Sequence, residues 1–464
     1  MSNFLNIIFI ILLYVTFSIQ HYVVFKFKTN INLKNLNEEN YMNSTLDQKI
    51  YVNIDVGDSH QIIPITIKTQ QNPTFIVSSR VSNDLIKYDE TKSLNSFHYI
   101  NNILVKELYR YDFTEGYLVN DSIVINSSYT FKNFTYMLAT ETNVVAKNIS
   151  GEIGLSIKLE EDYQYFYPRR TQFLNQLKEN ELIKNKIFGI VYDNEYEGRI
   201  IFGGYLHQID DIYTENEMIT NYIGEAQDKN RGKLLINFDF KLNNRTNNEI
   251  AYIEENTYGL IMYELGLIVG SQTFRENYAI DYFKQKGCKE SMISSKPFGF
   301  YQYTCENESQ FSDFPNLSFS LPGKFLFNFT KKELFKKIGN KYIFQIVFEV
   351  INLEINYWRI GQPLFRKYNI FFNWGDKQST FSYYPVKKTN KEESGIDKEK
   401  WQIALIIILS AILVVLIAVV IYFIIYCEKK KRKRMANEMV DDDFVYKSAN
   451  DDTDDQKNNH IINH

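Results

Sequence analysis

The stretch Ile50–Ser79 decides the fold, and it reads IYVNIDVGDSHQIIPITIKTQQNPTFIVSS. Residues 51–56 alternate in polarity and are rich in strand-forming residues, and Gly57-Asp58 after them is typical of a turn. Residues 62–67 are β-branched apart from one proline, and residues 75–77 are a third short β-rich run. The pattern predicts a strand, a turn, a second strand, a loop and a third strand.

This order of residues resembles the N-terminal lobe of pepsin-like eukaryotic aspartic proteases. In that family a strand ends in a glycine turn, a glutamine follows, and a β-rich run leads into Asp-Thr-Gly-Ser. In this chain Gly57 and Gln61 match the first two features, and the next run leads into residues 68–71, Lys-Thr-Gln-Gln. Lys68 therefore takes the position of the first catalytic aspartate, and Thr69 follows it.

A second stretch, Gly259–Ser271 (GLIMYELGLIVGS), is similar to the family's Ala-Ile-Val-Asp-Thr-Gly-Thr-Ser-Leu-Leu-Thr-Gly-Pro segment. Here Met262 takes the position of the catalytic aspartate, Tyr263 that of the threonine and Glu264 that of the glycine. No Asp-Thr-Gly or Asp-Ser-Gly occurs anywhere in the chain. Proteolysis by this family needs two carboxylates that share one proton, and neither an ammonium ion nor a thioether can replace them. The resemblance therefore implies a pepsin-like fold that has lost both catalytic acids.

Further matches extend the resemblance over residues 50–385. Residues 108–125 are similar to the hairpin flap that covers the family's cleft, with its turn expected at Asp112–Gly116 and Tyr109 in the position of the flap tyrosine. Residues 151–156 (GEIGLS) resemble an Asp-Gly-Ile-Leu-Gly-Leu turn at the end of the first lobe's core. The resemblance implies a cleft between two lobes, lined in this chain by the flap and by the two altered catalytic segments.

The cysteines and the glycosylation motifs indicate an oxidising compartment. Cys288 and Cys305 lie in the predicted lumenal part, where such a compartment would pair them, and they match the disulfide of the family's C-terminal lobe. Cys427 borders an apolar segment and is either a palmitoylation site or a bystander thiol. Candidate N-glycosylation sites in the same lumenal part are Asn43, Asn120, Asn126, Asn133, Asn148, Asn244, Asn307, Asn316 and Asn328.

Two apolar segments predict the topology. Residues 1–20 resemble a signal peptide, although no Lys or Arg precedes the apolar run. Residues 403–426 carry no charge, and as a helix they would extend about 36 Å, which is enough to cross a bilayer. The basic run Lys429–Arg434 follows, so the positive-inside rule places that end in the cytosol. These features predict a single-pass type I membrane protein, with residues 22–400 outside the cell or in a secretory or vacuolar lumen.

The predicted fold class is an all-β dominated, bilobal pepsin-like fold with short helices, followed by one C-terminal transmembrane helix. With 35 Phe and 34 Tyr among 464 residues, the chain can build a large β-rich core, and its net charge of −4 gives no basic surface for nucleic acid. The predicted division is a signal peptide (1–20), a lead-in or remnant pro-segment (21–49), a peptidase-like domain (50–385, with lobes at about 50–210 and 211–385), a stalk (386–402), a transmembrane helix (403–426) and a cytosolic tail (427–464).

The sequence favours a catalytically inactive, membrane-anchored glycoprotein that binds an unidentified peptide or protein in the inter-lobe cleft. The cleft residues are Lys68, Thr69, Tyr109 and Glu264, and an ion pair between Lys68 and Glu264 across the lobe boundary is one expectation. Two alternatives remain open, namely an active aspartic endopeptidase with a non-standard dyad and a surface adhesion or receptor module. No cofactor and no metal is expected, because the chain lacks Gly-x-Ser-x-Gly, His-Glu-x-x-His and a Gly-rich phosphate loop.

Overall fold

The described part of the chain begins at residue 22 and belongs to two compact units, residues 1–387 and 388–464. The computed structural model describes residues 22–31, 36, 38–46, 48–68, 74–81, 86–93, 95–109, 112–125, 129–143, 149–155, 172–222, 235–243, 249–295, 298–321, 324–350, 357–375, 379–386, 416 and 419–434. The predicted signal peptide and residues 403–415, 417 and 418 of the predicted membrane segment lie outside these ranges.

The first unit is built mainly of strands, as its content of β-branched and aromatic residues predicts. In chain order the strands are β1 (Val23–Thr29), β2 (Ile50–Val56), β3 (Gln61–Lys68), β4 (Phe75–Val77), β5 (His98–Tyr109), β6 (Asp112–Ile125), β7 (Tyr129–Thr142), β8 (Gly151–Gly154), β9 (Ile187–Tyr192), β10 (Glu197–Phe202), β11 (Ile219–Tyr222), β12 (Leu235–Asn243), β13 (Ile250–Ile261), β14 (Ile268–Val269), β15 (Lys289–Ser295), β16 (Phe298–Cys305), β17 (Asn316–Leu321), β18 (Lys324–Phe329), β19 (Phe335–Ile338), β20 (Lys341–Phe344), β21 (Ile346–Glu349), β22 (Trp358–Ile360), β23 (Tyr368–Trp374) and β24 (Ser379–Pro385).

The helices of this unit are short. They are α1 (Glu38–Leu46), α2 (Phe173–Glu179), α3 (Gln272–Phe274), α4 (Ile280–Gln285), α5 (Lys331–Leu334) and α6 (Gln362–Lys367), with a π-helical turn, Arg275–Ala279, between α3 and α4. Single 3₁₀ turns cover Glu90–Lys92, Leu206–Gln208, Glu215–Glu217 and Glu308–Phe311. The predicted predominance of strands over short helices is therefore confirmed.

The strands form two sheets. Among the described residues, the first sheet has thirteen strands in the order β11-β24-β23-β9-β10-β1-β2-β3-β8-β4-β7-β6-β5. In the same part of the chain, the second sheet has eleven strands in the order β18-β17-β12-β13-β22-β14-β21-β16-β20-β19, with β15 paired to β16. The last two strands, β23 and β24, return to the first sheet, where β23 pairs with β9. The C-terminal strands of the unit therefore belong to the same sheet as its N-terminal strands.

The strands predicted for the opening stretch are present as β2, β3 and β4. The turn after β2 uses Gly57 with φ of +74°, a backbone conformation that glycine adopts at little cost. A Cβ at this glycine would also lie 2.6 Å from the Oγ of Ser93. Strand β8 lies between β3 and β4, parallel to β3 and antiparallel to β4. A distant strand therefore separates two strands that are close in sequence.

The predicted flap hairpin is also present, but the turn expected at Asp112–Gly116 is wrong. Strand β5 ends at Tyr109, which pairs with Asp112 at the start of β6. Gly116 lies inside β6, and a Cβ on it would be 2.1 Å from the carbonyl oxygen of Leu138 on β7. The glycine is thus required by the close approach of a neighbouring strand and not by a turn.

The second sheet repeats the arrangement of the first around β13, β22 and β14. Strand β22 lies between the other two, parallel to β13 and antiparallel to β14. The residue after β22 is Gly361, and a Cβ there would lie 2.1 Å from the carbonyl oxygen of Leu265 and 2.2 Å from that of Leu267. Only glycine leaves room for the loop that joins β13 to β14.

Aromatic side chains form much of the core around this second arrangement. Trp358 of β22 is fully buried, with its ring centroid 4.3 Å from that of Phe240 and 5.4 Å from that of Phe274. Its indole Nε1 donates a hydrogen bond to Glu254 Oε2 at 3.1 Å. Such ring clusters contribute both buried area and oriented ring contacts, so they hold β22 firmly in place.

In the second unit the structure describes a helix over residues 419–434, and the side chains of this helix are exposed. In the part of the chain that the structure describes, no helix has both the length and the apolar character to cross a membrane.

The predicted disulfide is confirmed, because Cys288 and Cys305 are bonded with an S–S distance of 2.09 Å. The bond closes a loop between α4 and the end of β16, since the two residues are separated by 17 positions. Closing a loop of that size constrains the unfolded chain and stabilises the fold by roughly 3 kcal/mol in the chain-entropy model.

The double replacement Cys288→Ser/Cys305→Ser is expected to lower the free energy of unfolding by about 3 kcal/mol, because the unfolded chain gains the freedom of the opened loop. Denaturant titration of the protein measures the change. The matched control is Cys427→Ser, which removes an exposed free cysteine and leaves the unfolding midpoint unchanged. A loss below about 1 kcal/mol for the double variant would contradict the expectation.

Candidate functional site

Two loops correspond to the segments in which a pepsin-like protease carries its acids. The first follows Lys68, the last residue of β3, and the second begins at Met262, directly after β13. Each preceding strand is parallel to a partner from far along the chain, β8 or β22. Backbone hydrogen bonds hold the end of β3 and the start of the second loop, from Leu155 N to Lys68 O at 2.9 Å and from Met262 N to Ile360 O at 3.0 Å. The frame around the two altered positions is therefore intact.

The side chain of Lys68 forms an ion pair with Glu152 on β8. Its Nζ lies 2.5 Å from Glu152 Oε1, and the two side chains are 15% and 4% exposed. The parallel register explains the contact, because Glu152 lies opposite Thr66, which shares a sheet face with Lys68. A desolvated ion pair is stable only while both charges are present. The carboxylate thus favours the ammonium form of Lys68, which has no lone pair to accept a proton from water.

Glu152 is the site residue that reasoning from the sequence missed. When the two glycines of GEIGLS are aligned with those of Asp-Gly-Ile-Leu-Gly-Leu, Glu152 takes the position of the apolar isoleucine. An acidic residue in an otherwise apolar turn was the available signal, since a buried carboxylate needs a positive partner. The structure shows an ion pair of Lys68 with Glu152. The ion pair with Glu264 that the sequence predicts stays a prediction.

The second loop carries Met262 and Tyr263 in place of acid and threonine. Met262 is half-buried and its carbonyl accepts a hydrogen bond from Leu265 N at 3.0 Å. Tyr263 is fully buried, with its ring centroid 6.0 Å from that of Phe365. Burial raises the pKa of Tyr263 well above its ordinary value, and the negative charges of Glu264 and Glu152 raise it further. The phenol therefore stays neutral and does not act as a base.

The influence of Glu152 on Tyr263 relates the two loops to each other. Glu152 belongs to the first sheet and Tyr263 to the loop after β13 in the second sheet. The charge of Glu152 contributes to the raised pKa of Tyr263, after burial and the charge of Glu264. The two altered segments therefore share one electrostatic neighbourhood, as the resemblance implies for the two catalytic segments.

Glu264 is buried although it replaces a glycine. Its backbone carbonyl accepts a hydrogen bond from Lys49 Nζ at 3.2 Å, so a residue just before β2 reaches the second loop. The structure gives less detail for the other two predicted cleft residues. Tyr109 ends β5 beside the hairpin reversal, and Thr69 lies outside the described residues.

Carboxylates near the opening stretch have structural roles. Asp121 is fully buried and accepts hydrogen bonds from the hydroxyls of Tyr88, Ser93 and Ser96, with Ser93 Oγ at 3.1 Å. Asp58 lies in the turn after β2, where hydrogen bonds from the backbone N–H groups of residues 95 and 96 hold its pKa below its ordinary value. These contacts tie loops together, and Ser96 bonds to both carboxylates, through its backbone N–H to Asp58 and through its hydroxyl to Asp121.

Metal chemistry finds no support in the part of the chain that the structure describes. No group of three or more His, Cys, Asp or Glu side chains within it could hold a metal ion.

The structure sorts the candidate glycosylation sites by exposure. Asn133 and Asn307 are exposed, whereas Asn43, Asn120, Asn316 and Asn328 are partly buried. Asn126, Asn148 and Asn244 lie outside the described residues. Of the six candidates that the structure describes, Asn133 and Asn307 are therefore the most exposed.

In each of the two sheets, a strand from far along the chain lies between the two strands that flank one of the two loops. This arrangement defines the class of bilobal aspartic proteases. A comparison with protein-family models agrees, since the eukaryotic aspartyl protease model matches residues 47–384. The chain therefore belongs to the eukaryotic aspartyl protease family. A search of curated proteins finds no matching sequence.

The Lys68–Glu152 pair predicts a strongly non-additive mutant cycle. Lys68→Met and Glu152→Ile are each expected to destabilise the fold by about 3–5 kcal/mol, because each leaves an uncompensated buried charge. The double variant is expected to be within about 1 kcal/mol of the wild type, since two apolar side chains of similar size replace the pair. Denaturant titration of the four proteins measures the coupling.

The control for this cycle is an exposed ion pair in the same sheet. Lys28 Nζ lies 3.5 Å from Glu197 Oε1, with side chains that are 66% and 51% exposed. Lys28→Met is expected to change stability by less than about 1 kcal/mol, because water screens the pair. Additive effects of Lys68→Met and Glu152→Ile would show that the two charges do not depend on each other.

Proposed function

We propose that this chain is a type I membrane glycoprotein whose pepsin-like ectodomain lacks peptidase activity and binds a peptide or protein in its inter-lobe cleft. The observation that carries the proposal is the ion pair of Lys68 with the buried Glu152, at the position where the family has its first catalytic acid. The family membership supports the pepsin-like ectodomain, and the chemistry of the two altered loops supports the loss of activity.

The chemistry of the reaction explains why these replacements abolish it. One carboxylate must take a proton from the attacking water while the other donates a proton to the scissile carbonyl. Lys68 is held as a cation by Glu152, and the thioether of Met262 does not titrate. Loss of one member of a catalytic unit costs roughly 10⁴-fold or more in rate, and here both members are replaced.

Retention of the frame supports a binding role. Backbone hydrogen bonds still hold the end of β3 and the start of the second loop, and the hairpin of β5 and β6 still carries Tyr109 beside its reversal. A cleft of this kind suits an extended chain, because its walls are strands and loops that offer backbone hydrogen-bonding groups. The proposed ligand is therefore a peptide or an unfolded protein segment.

The membrane arrangement completes the proposal. The uncharged residues 403–426, with the basic run Lys429–Arg434 after them, suit a stop-transfer helix with its basic end in the cytosol. The ectodomain then comprises the lead-in, the peptidase-like domain at 50–385 and a stalk at 386–402. Cleavage of the signal peptide places the sequons and the disulfide on the lumenal or extracellular side.

The ectodomain, residues 22–400, is expected to leave an unfolded protein substrate intact between about pH 3 and pH 7. Mass spectrometry of the substrate after incubation provides the measurement. The control is the same purification from cells that do not express the ectodomain, so any cleavage common to both preparations comes from a contaminant. Pepstatin-sensitive cleavage by the wild type alone would refute the absence of activity and favour an active endopeptidase.

Binding of peptides is expected to depend on the hairpin that covers the cleft. Tyr109→Ala should weaken binding of the peptides that the wild-type ectodomain selects from a random library by about tenfold, as loss of one aromatic contact predicts. The matched control is Tyr99→Ala, which removes an exposed tyrosine from the same strand. Equal binding by all three proteins, measured by fluorescence polarisation, would place the ligand elsewhere and favour an adhesion or receptor surface.

A further inference from the structure

The helix over residues 419–434 ends in a basic run, residues 429–434, with the sequence KKKRKR. All six side chains of the run are exposed. Glu428, directly before the run, is the only acidic residue between residues 403 and 434. An excess of a few Lys or Arg residues is enough to orient a membrane segment, so the positive-inside rule leaves the number and density of these cations unexplained.

The helical conformation distributes the six cations around the helix axis. Successive residues of an α-helix are rotated by about 100°, so six consecutive positions leave no gap wider than about 100°. A helix that lies flat on a membrane carries its cations on one face and large apolar residues on the other. The basic run has no apolar face, so its charges form a ring that fits a helix surrounded by headgroups on every side.

The distance of the basic run from the apolar segment places it at the membrane surface. Residues 403–426 are uncharged, and at about 1.5 Å per residue the run extends from about 4.5 Å to about 12 Å beyond Tyr426. The headgroup region extends roughly 5–7 Å beyond the hydrocarbon core, and the surface potential decays over about 8 Å at physiological ionic strength. In the membrane arrangement proposed above, every cation of the run is therefore within reach of the headgroups or of their potential.

The chemistry of the side chains favours headgroups with a net negative charge. The guanidinium groups of Arg432 and Arg434 can each donate two parallel hydrogen bonds to a phosphate, and the four lysines of the run act as point charges. A zwitterionic headgroup has no net charge and gains little from the ring. An acidic headgroup is attracted by the cations at every position around the helix.

We propose that the basic run binds acidic phospholipids of the cytosolic leaflet and concentrates them around the helix. The inference rests on the type I arrangement of the proposed function and goes beyond it, because it names a ligand for a segment that would otherwise only fix the orientation. The exposed ring of cations and its distance from the uncharged segment carry the inference. It is independent of the activity of the pepsin-like domain.

Energy transfer from a dye on Cys427 tests the proposal. This free cysteine is exposed and lies two residues before the basic run, so a dye on its thiol reports on the lipids beside the run. The full-length protein is treated with hydroxylamine to free the thiol from any thioester, labelled, and reconstituted into phosphatidylcholine vesicles. The vesicles contain the same small fraction of an acyl-labelled acceptor lipid, which is either phosphatidylserine or phosphatidylcholine.

At about 0.1 M salt, transfer to phosphatidylserine is expected to exceed transfer to phosphatidylcholine by about twofold or more, because the cations concentrate the acidic lipid near the dye. The excess is expected to disappear at about 1 M salt, where charges are screened within about 3 Å.

A variant and a matched control from the same helix identify the cations as the cause. Arg432→Gln/Lys433→Gln/Arg434→Gln keeps three lysines for the orientation, and it is expected to lower the excess transfer to phosphatidylserine by about half or more. Glu428→Gln is the control, and it should keep the excess or increase it, because it removes the nearby acid.

Two kinds of outcome would overturn the proposal, and they differ in what else they affect. Equal transfer to both acceptor lipids at low salt, or an excess that the triple variant retains in full, would show that the basic run does not select acidic lipids, and the membrane arrangement would stand. Absence of transfer to either lipid would show that Cys427 does not lie at a bilayer, so the type I arrangement would fail as well.

Discussion

The contact between Lys68 and Glu152 lies at the end of the strand that leads into the first altered segment, and the surrounding structure depends on it. Without Glu152, Lys68 at the end of β3 would be an isolated charge in a largely buried position. Without Lys68, Glu152 on β8 would likewise be an isolated buried charge. Together they are neutral, and the parallel register of β3 and β8 sets their separation. Either buried charge alone would destabilise the fold. Lys68 and Glu152 are therefore compatible with the folded structure only when both are present. Each of the two side chains therefore depends on the other for its place in the fold.

The frame that surrounds this pair does not depend on the chemistry. In each sheet a distant strand, β8 or β22, lies between the two strands that flank a loop, and the contacts that define it are backbone hydrogen bonds and close glycine approaches. Gly361 fits the backbone of the second loop closely, whatever side chain Met262 carries. Such constraints persist when catalytic residues change, so membership of the family and loss of its acids are compatible.

Sequence patterns predicted the strands well where β-branched runs were bounded by turn residues, as in β2, β3 and β4. They predicted the hairpin but not its reversal, because Gly116 looks like a turn residue and is in fact a position of close contact with β7. Glu152 could not be paired with Lys68 from the pattern alone, since the contact arises from a parallel register between strands far apart in sequence. The disulfide was predictable because compartment and family resemblance both indicated it.

The lead-in shows a different limit of sequence reasoning. Its β1 run is short and α1 has a mixed polar sequence, so neither stands out beside the long strands of the domain. Their importance comes from position: β1 is paired on both sides, and α1 is buried against the loop after β13. An ion pair at the end of β3 and the contacts of α1 with the loop after β13 thus hold residues of both altered segments by contacts within the chain itself.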